Sequence, residues 1–196
     1  MVPPNDMFDV IAEIHQAGLE PKRWSSVVVR IAELMGASCG SFHFLDRSTG
    51  DLDVFGSHGF DPAACRGYQE HYYRIDRLTE AVLRFPPGLC FVGQQLVDLE
   101  NFEGSEFYRD FLSPLGMCHF VGGRTLEAEG VAAMVGFHRS SDRGPFDPRD
   151  ATKLGLRTLF GIVPGVCYLV GTLCFLRFRL DEAAHLAIRR ELDARA

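Results

Sequence analysis

Between Gly104 and Phe120 the chain reads GSEFYRDFLSPLGMCHF, and this stretch limits the fold more than any other. Phe107, Tyr108 and Phe111 sit within about one helical turn, Pro114 and Gly116 stop the helix, and a strand follows at once. A helix that delivers aromatic side chains and then hands over to a sheet must pack them against that sheet. This is a common way to wall a small-molecule pocket. No comparable stretch presents a nucleophile with its base, a metal cluster or a phosphate loop, so the chain reads as a sensor or binding module rather than an enzyme.

Composition narrows the class further. The length of 196 residues suits one domain with an appended helical element, and 46% hydrophobic residues can fill a core. The net charge of -6 opposes non-specific contact with nucleic acid, which needs clustered Lys and Arg. The late arginines 177, 179, 189, 190 and 195 are interleaved with Asp181, Glu182, Glu191 and Asp193, so no direct nucleic-acid binding is expected. The six cysteines form no C-x-x-C pair, and the first residues lack the basic flank and apolar core of a signal peptide. Free thiols and a cytoplasmic location are the expectation.

Helical spacing marks 7–18 and 24–35, the second closed by Gly36. Alternation marks a hairpin at 41–45 and 52–57. Asp61-Pro62 opens a helical region that breaks near Asp76 and stops at Pro86-Pro87-Gly88. A short strand at 89–92, the aromatic helix at 105–112, a hairpin at 118–126 and 131–139, and a helix from Asp147-Pro148 complete the order. Antiparallel pairs on either side of a helical excursion predict an α+β domain with a central antiparallel sheet. Helices would pack on one face and the excursion would cover the other, leaving a cavity. The domain division expected is 1–156 for this unit and 157–196 for a C-terminal helical segment.

Three segments carry a resemblance to a known class: Ser57-His58-Gly59-Phe60-Asp61, Tyr68-Gln69-Glu70-His71-Tyr72-Tyr73-Arg74-Ile75-Asp76, and Ser105 to Phe111 with Pro114, Gly116 and His119. Over about residues 7–156 the chain resembles GAF/PAS-like sensory domains, and more narrowly the N-terminal sensor regions of LuxR-type transcription regulators. The resemblance implies a small-molecule sensing domain acting in transcription regulation. It also implies a helix-turn-helix that these residues do not contain. In autoinducer-binding members an Asp four residues after a Tyr accepts a hydrogen bond from an acyl-lactone amide, a spacing that Tyr72 and Asp76 match. There a Pro follows the Asp and a Trp precedes it; here Arg77 follows, and the single Trp is Trp24.

The candidate ligand-binding residues are therefore Phe42, Phe44, Tyr72, Asp76, Phe107, Phe111 and His119. On one helix, Tyr72 and Asp76 would share a face. The competing reading has Asp76 capping the next helix or pairing with Arg74 or Arg77. Phe42 and Phe44 share one face of a strand, either lining the pocket with Phe107, Phe111 or Phe120 or simply packing in the core. Cys118 and His119, as strand neighbours, face opposite sides and make a poor nucleophile–base pair. None of the seven histidines shows a metal-ligand spacing, and Gly122-Gly123-Arg124 is too short for a phosphate loop, so no metal or cofactor is expected. A few-hundred-Å³ cavity bounded by Phe42, Tyr72, Asp76 and Phe107 would mark a site for a small apolar ligand.

Thr158 to Leu176 is an uncharged run of nineteen residues. As a helix at ~1.5 Å per residue it would nearly match a bilayer core. Two readings stand: a buried helix that makes a homodimer, which is preferred, and a single membrane span tethering the sensor.

Overall fold

The computed structural model describes residues 4–157. Two helices, α1 (Pro4–Leu19) and α2 (Trp24–Met35), precede a hairpin of β1 (Cys39–Asp46) and β2 (Leu52–His58). The excursion contains α3 (Pro62–Glu70), a 3₁₀ turn (Tyr72–Arg74) and α4 (Arg77–Val82). After β3 (Leu89–Val92) come two short helices, α5 (Gly93–Leu96) and α6 (Leu99–Glu103), then a π-helix (Phe107–Leu112). The second hairpin, β4 (Met117–Ala128) and β5 (Val131–Ser140), leads to α7 (Pro148–Arg157).

The strands form one antiparallel sheet in the order β2-β1-β5-β4-β3. The α+β expectation holds, with helices on both sides. The turn between β4 and β5 is two residues, Glu129 and Gly130, both at positive φ (51° and 84°). Such a turn matches the right-handed twist of the strands it joins.

Side-chain parity sorts the two faces. On the outer face, α1 and α2 bury Val10, Ile14, Trp24, Val27, Val28 and Ile31 against Phe42, Val121, Val135 and Phe137. On the inner face, the excursion buries Leu78, Phe102, Phe107, Phe111 and Leu112 against Cys39 and Met117. Apart from β3 and the first residues of β2 and β5, the strand ends fall one or two residues outside those read from sequence, because alternation weakens where strands fray into turns.

The expected helical region from Pro62 is a helix, a 3₁₀ turn and a second helix. Asp61 caps α3 by accepting from the Ala64 N–H at 2.7 Å. Asp76 stands in extended backbone before α4 and caps it. The aromatic stretch expected as an ordinary helix is π-helical, with the Ser113 N–H reaching back five residues to the Tyr108 carbonyl at 2.8 Å. Single π turns inside helical segments occur frequently at functional sites. The run 158–176 lies outside the described residues, and no helix among the described residues is long and apolar enough to cross a membrane.

Candidate ligand site between the sheet and the excursion

An inner cavity lies between the sheet and the excursion. Its floor comes from Ser41 and His43 of β1, Met134, Gly136 and His138 of β5, and Phe120 of β4. Its roof comes from Tyr68 of α3, Asp76 and Thr79 at the start of α4, and Phe107 and Phe111 of the π-helix. The volume is about 50 Å³, room for a few waters and well below the few hundred Å³ expected from sequence. The aromatic roof fills the rest. Phe107 and Phe111 stack with ring centroids 5.6 Å apart, Tyr68 stacks on Phe111 at 5.6 Å, and Tyr72 leans on Phe111 at 4.8 Å.

Asp76 is 7% exposed and serves two elements at once. Oδ1 accepts the N–H groups of Leu78 (2.9 Å) and Thr79 (3.3 Å), closing the start of α4. Oδ2 accepts the hydroxyls of Tyr68 (2.8 Å) and Thr79 (2.7 Å). All four acceptor positions of the carboxylate are therefore taken. Burial raises its pKa above the usual carboxylate value, opposed by these hydrogen bonds. Burial likewise pushes the Tyr68 phenol up, helped by the nearby Asp76 charge.

Two histidines on the floor are fully buried, and burial pulls each down to about 4, so both are neutral at pH 7. His43 Nδ1 lies 3.4 Å from Ser41 Oγ, whereas its Nε2 is buried with no hydrogen-bond partner among the described residues. His43 lines the cavity, and a buried ring nitrogen without a partner is a polar group awaiting one.

Phe107, Phe111 and Asp76 thus meet at one site. Tyr72 lies in the 3₁₀ turn, not on a helix shared with Asp76, and it packs on Phe111 without bordering the cavity. The tyrosine that engages Asp76 is Tyr68. Phe42 and Phe44 point to the outer face, where Phe42 packs on Trp24 with centroids 4.6 Å apart. With β1 pairing antiparallel to β5, the odd positions 41 and 43 take the cavity, so the phenylalanines cannot. His119 borders a separate outer cleft with Cys118, beside a register shift in β4.

Sequence reasoning missed His43, Tyr68, Thr79 and His138. The available signal was parity: once Phe42 is assigned to the core under α2, His43 must face the excursion. Among the described residues, no group of three His, Cys, Asp or Glu side chains could hold a metal ion.

No protein-family model and no curated protein matches the chain. Solved structures do match. The VqsR LBD domain from Pseudomonas aeruginosa superposes with a TM-score of 0.64 at 13% identity, covering 84% of this chain and 96% of that one. CepR2 from Burkholderia cenocepacia, an N-acylhomoserine-lactone-dependent LuxR family transcription factor, gives 0.60 at 14% identity, covering 86% and 98%. The GAF domain/HD domain protein from Geobacter sulfurreducens gives 0.52 at 13% identity, covering 81% and 97%. The fold is GAF-like. At these identities the likeness carries the architecture, and the site must be argued from its own residues.

Proposed function

We propose that this chain is a small-molecule sensing domain of the LuxR-regulator type, with its ligand held between the inner sheet face and the aromatic roof. The observation that carries the reading is the cavity itself. It is largely apolar yet holds a buried Asp76–Tyr68–Thr79 network and the unpartnered His43 Nε2. Buried polar groups gathered in an apolar void are the usual anatomy of a recognition site. The CepR2 and SdiA structures that share the fold support the assignment, one named as N-acylhomoserine-lactone-dependent and one solved with octanoyl-rac-glycerol.

At about 50 Å³ the cavity is the closed form of such a site. Ligand entry requires the roof to yield, and binding selects the opened arrangement. The segment 157–196, proposed as the dimerising element, then carries the change onward from α7. No catalytic role is proposed, and the setting proposed is cytoplasmic.

Native mass spectrometry of the purified chain tests the reading. A small molecule that travels with the wild type and is lost in Asp76→Ala is the expected result. Empty protein under all conditions would instead favour a packed interaction module, the reading that the small volume supports.

A further inference from the structure

Beside the inner cavity lies an outer cleft of about 260 Å³, bordered by Leu78, Val97, Leu99 and Phe102 with His119 and Gln94. Phe120 is the one residue shared by both linings. Its ring lies over two paired glycines of the sheet, Gly122 on β4 and Gly136 on β5. A Cβ at Gly122 would come within 2.5 Å of the ring's Cζ, and one at Gly136 within 3.1 Å of Cε2. The bare backbone at these two positions is what lets the ring lie down on the sheet, tilted against His138 with centroids 5.2 Å apart.

We propose that Phe120 is a movable partition that divides one ligand site into an inner polar chamber and an outer apolar one, and that the occupant is a neutral amphiphile whose hydrogen-bonding end reaches His43. This deepens the sensing reading and rests on it. Neither void alone matches a small-molecule site; with the ring displaced, the two join into a space of the few hundred Å³ such sites need.

The chemistry of each chamber selects its half of the ligand. The outer walls are aliphatic and aromatic, suited to a hydrocarbon chain. In the inner chamber, Asp76 has no free acceptor position, so the open contact is His43 Nε2. A neutral imidazole nitrogen accepts from a hydroxyl or amide in one tautomer and donates to it in the other. A carboxylate end is excluded, because it would be buried beside the Asp76 charge with no cation facing it.

Calorimetric titration with 1-octanol tests the partition. Phe120→Ala removes the ring that must be displaced, so it is expected to bind 1-octanol at least tenfold tighter than the wild type. Should the alanine variant fail to fold, Phe120→Leu is expected to act in the same direction. His43→Leu is expected to weaken binding at least tenfold, while His43→Gln keeps a hydrogen-bonding end and retains most of the affinity. Equal or weaker binding by the Phe120 variants would overturn the partition and leave the sensing reading intact. Absence of 1-octanol binding in every variant would overturn the proposal, with the co-purification experiment deciding the sensing reading separately.

Discussion

Asp76 shows how one side chain can serve two elements at once. Its Oδ1 closes α4 and its Oδ2 gathers two hydroxyls. Asp76→Ala is expected to cost about 2–4 kcal/mol in urea unfolding, from the lost cap plus charge-assisted hydrogen bonds. Asp76→Asn keeps the capping oxygen and offers donors that the hydroxyls can accept, so its cost should stay near ~1 kcal/mol. Because burial raises the folded-state pKa of Asp76, its contribution is full below the unfolded value of 3.8 and is lost as pH rises through the folded value. The wild type should therefore gain on Asp76→Asn as pH falls. The histidines run the other way. His43 and His138 fall from 6.5 to about 4 on folding, so the unfolded chain takes up protons first and stability is lost as pH drops across that window. The loss approaches roughly 3 kcal/mol per histidine, and urea midpoints at pH 7, 6 and 5 should fall in that order, with a shallower fall in either His→Gln variant. At pH 7, His43→Leu removes a buried nitrogen without a partner and is expected to stabilise the empty domain by ~1 kcal/mol. A stability gain paired with a binding loss is the signature of a residue kept for recognition.

The two walls of the site differ in how firmly their elements are held. β4 is clamped on both sides: a Cβ at Gly123 would run into the Leu89 carbonyl of β3, and one at Gly122 into the Val135 carbonyl of β5. Gly123→Ala is expected to lower the melting temperature by several degrees, because backbone cannot step aside as a side chain can. The roof is built from shorter pieces, a single π-helix set between the five-residue helix α6 and Pro114. Amide exchange in 105–113 is expected to be faster than in β1 and β5 in the empty protein, and to slow when a ligand fills the site. These elements were legible to different degrees. Strands and outer helices announce themselves by period, and hairpin turns by their glycines. The π-helix was not readable, since its one-residue slip leaves no mark in composition. Spacing is a poor guide to Tyr72 for a related reason. A four-residue spacing places two side chains together only on an unbroken helix, and the chain breaks at His71, before Tyr72. For Phe42 and Phe44, composition leaves pocket and core equally open, and strand parity decides for the core under Trp24.

At the scale of the whole molecule, the sheet divides the labour between its faces. The outer face packs Trp24, Phe42 and Phe137 into a dense aromatic and aliphatic layer that supplies stability. The inner face gives up some of that packing to two glycines and two histidines, facing the buried carboxylate of the roof, and so leaves a cavity. This division could be anticipated from sequence only in outline: the excursion between two hairpins said that a second layer exists, not how tightly it closes. The proposed ligand acts at the inner face of the sheet, not the outer. The most direct test is proton NMR of the imidazoles and aromatic rings during a 1-octanol titration. The resonances of His43, His138, Phe120 and Tyr68 are expected to move together and saturably while Trp24 stays still. Shifts confined to Trp24 and the outer helices, or none at saturating ligand, would contradict it.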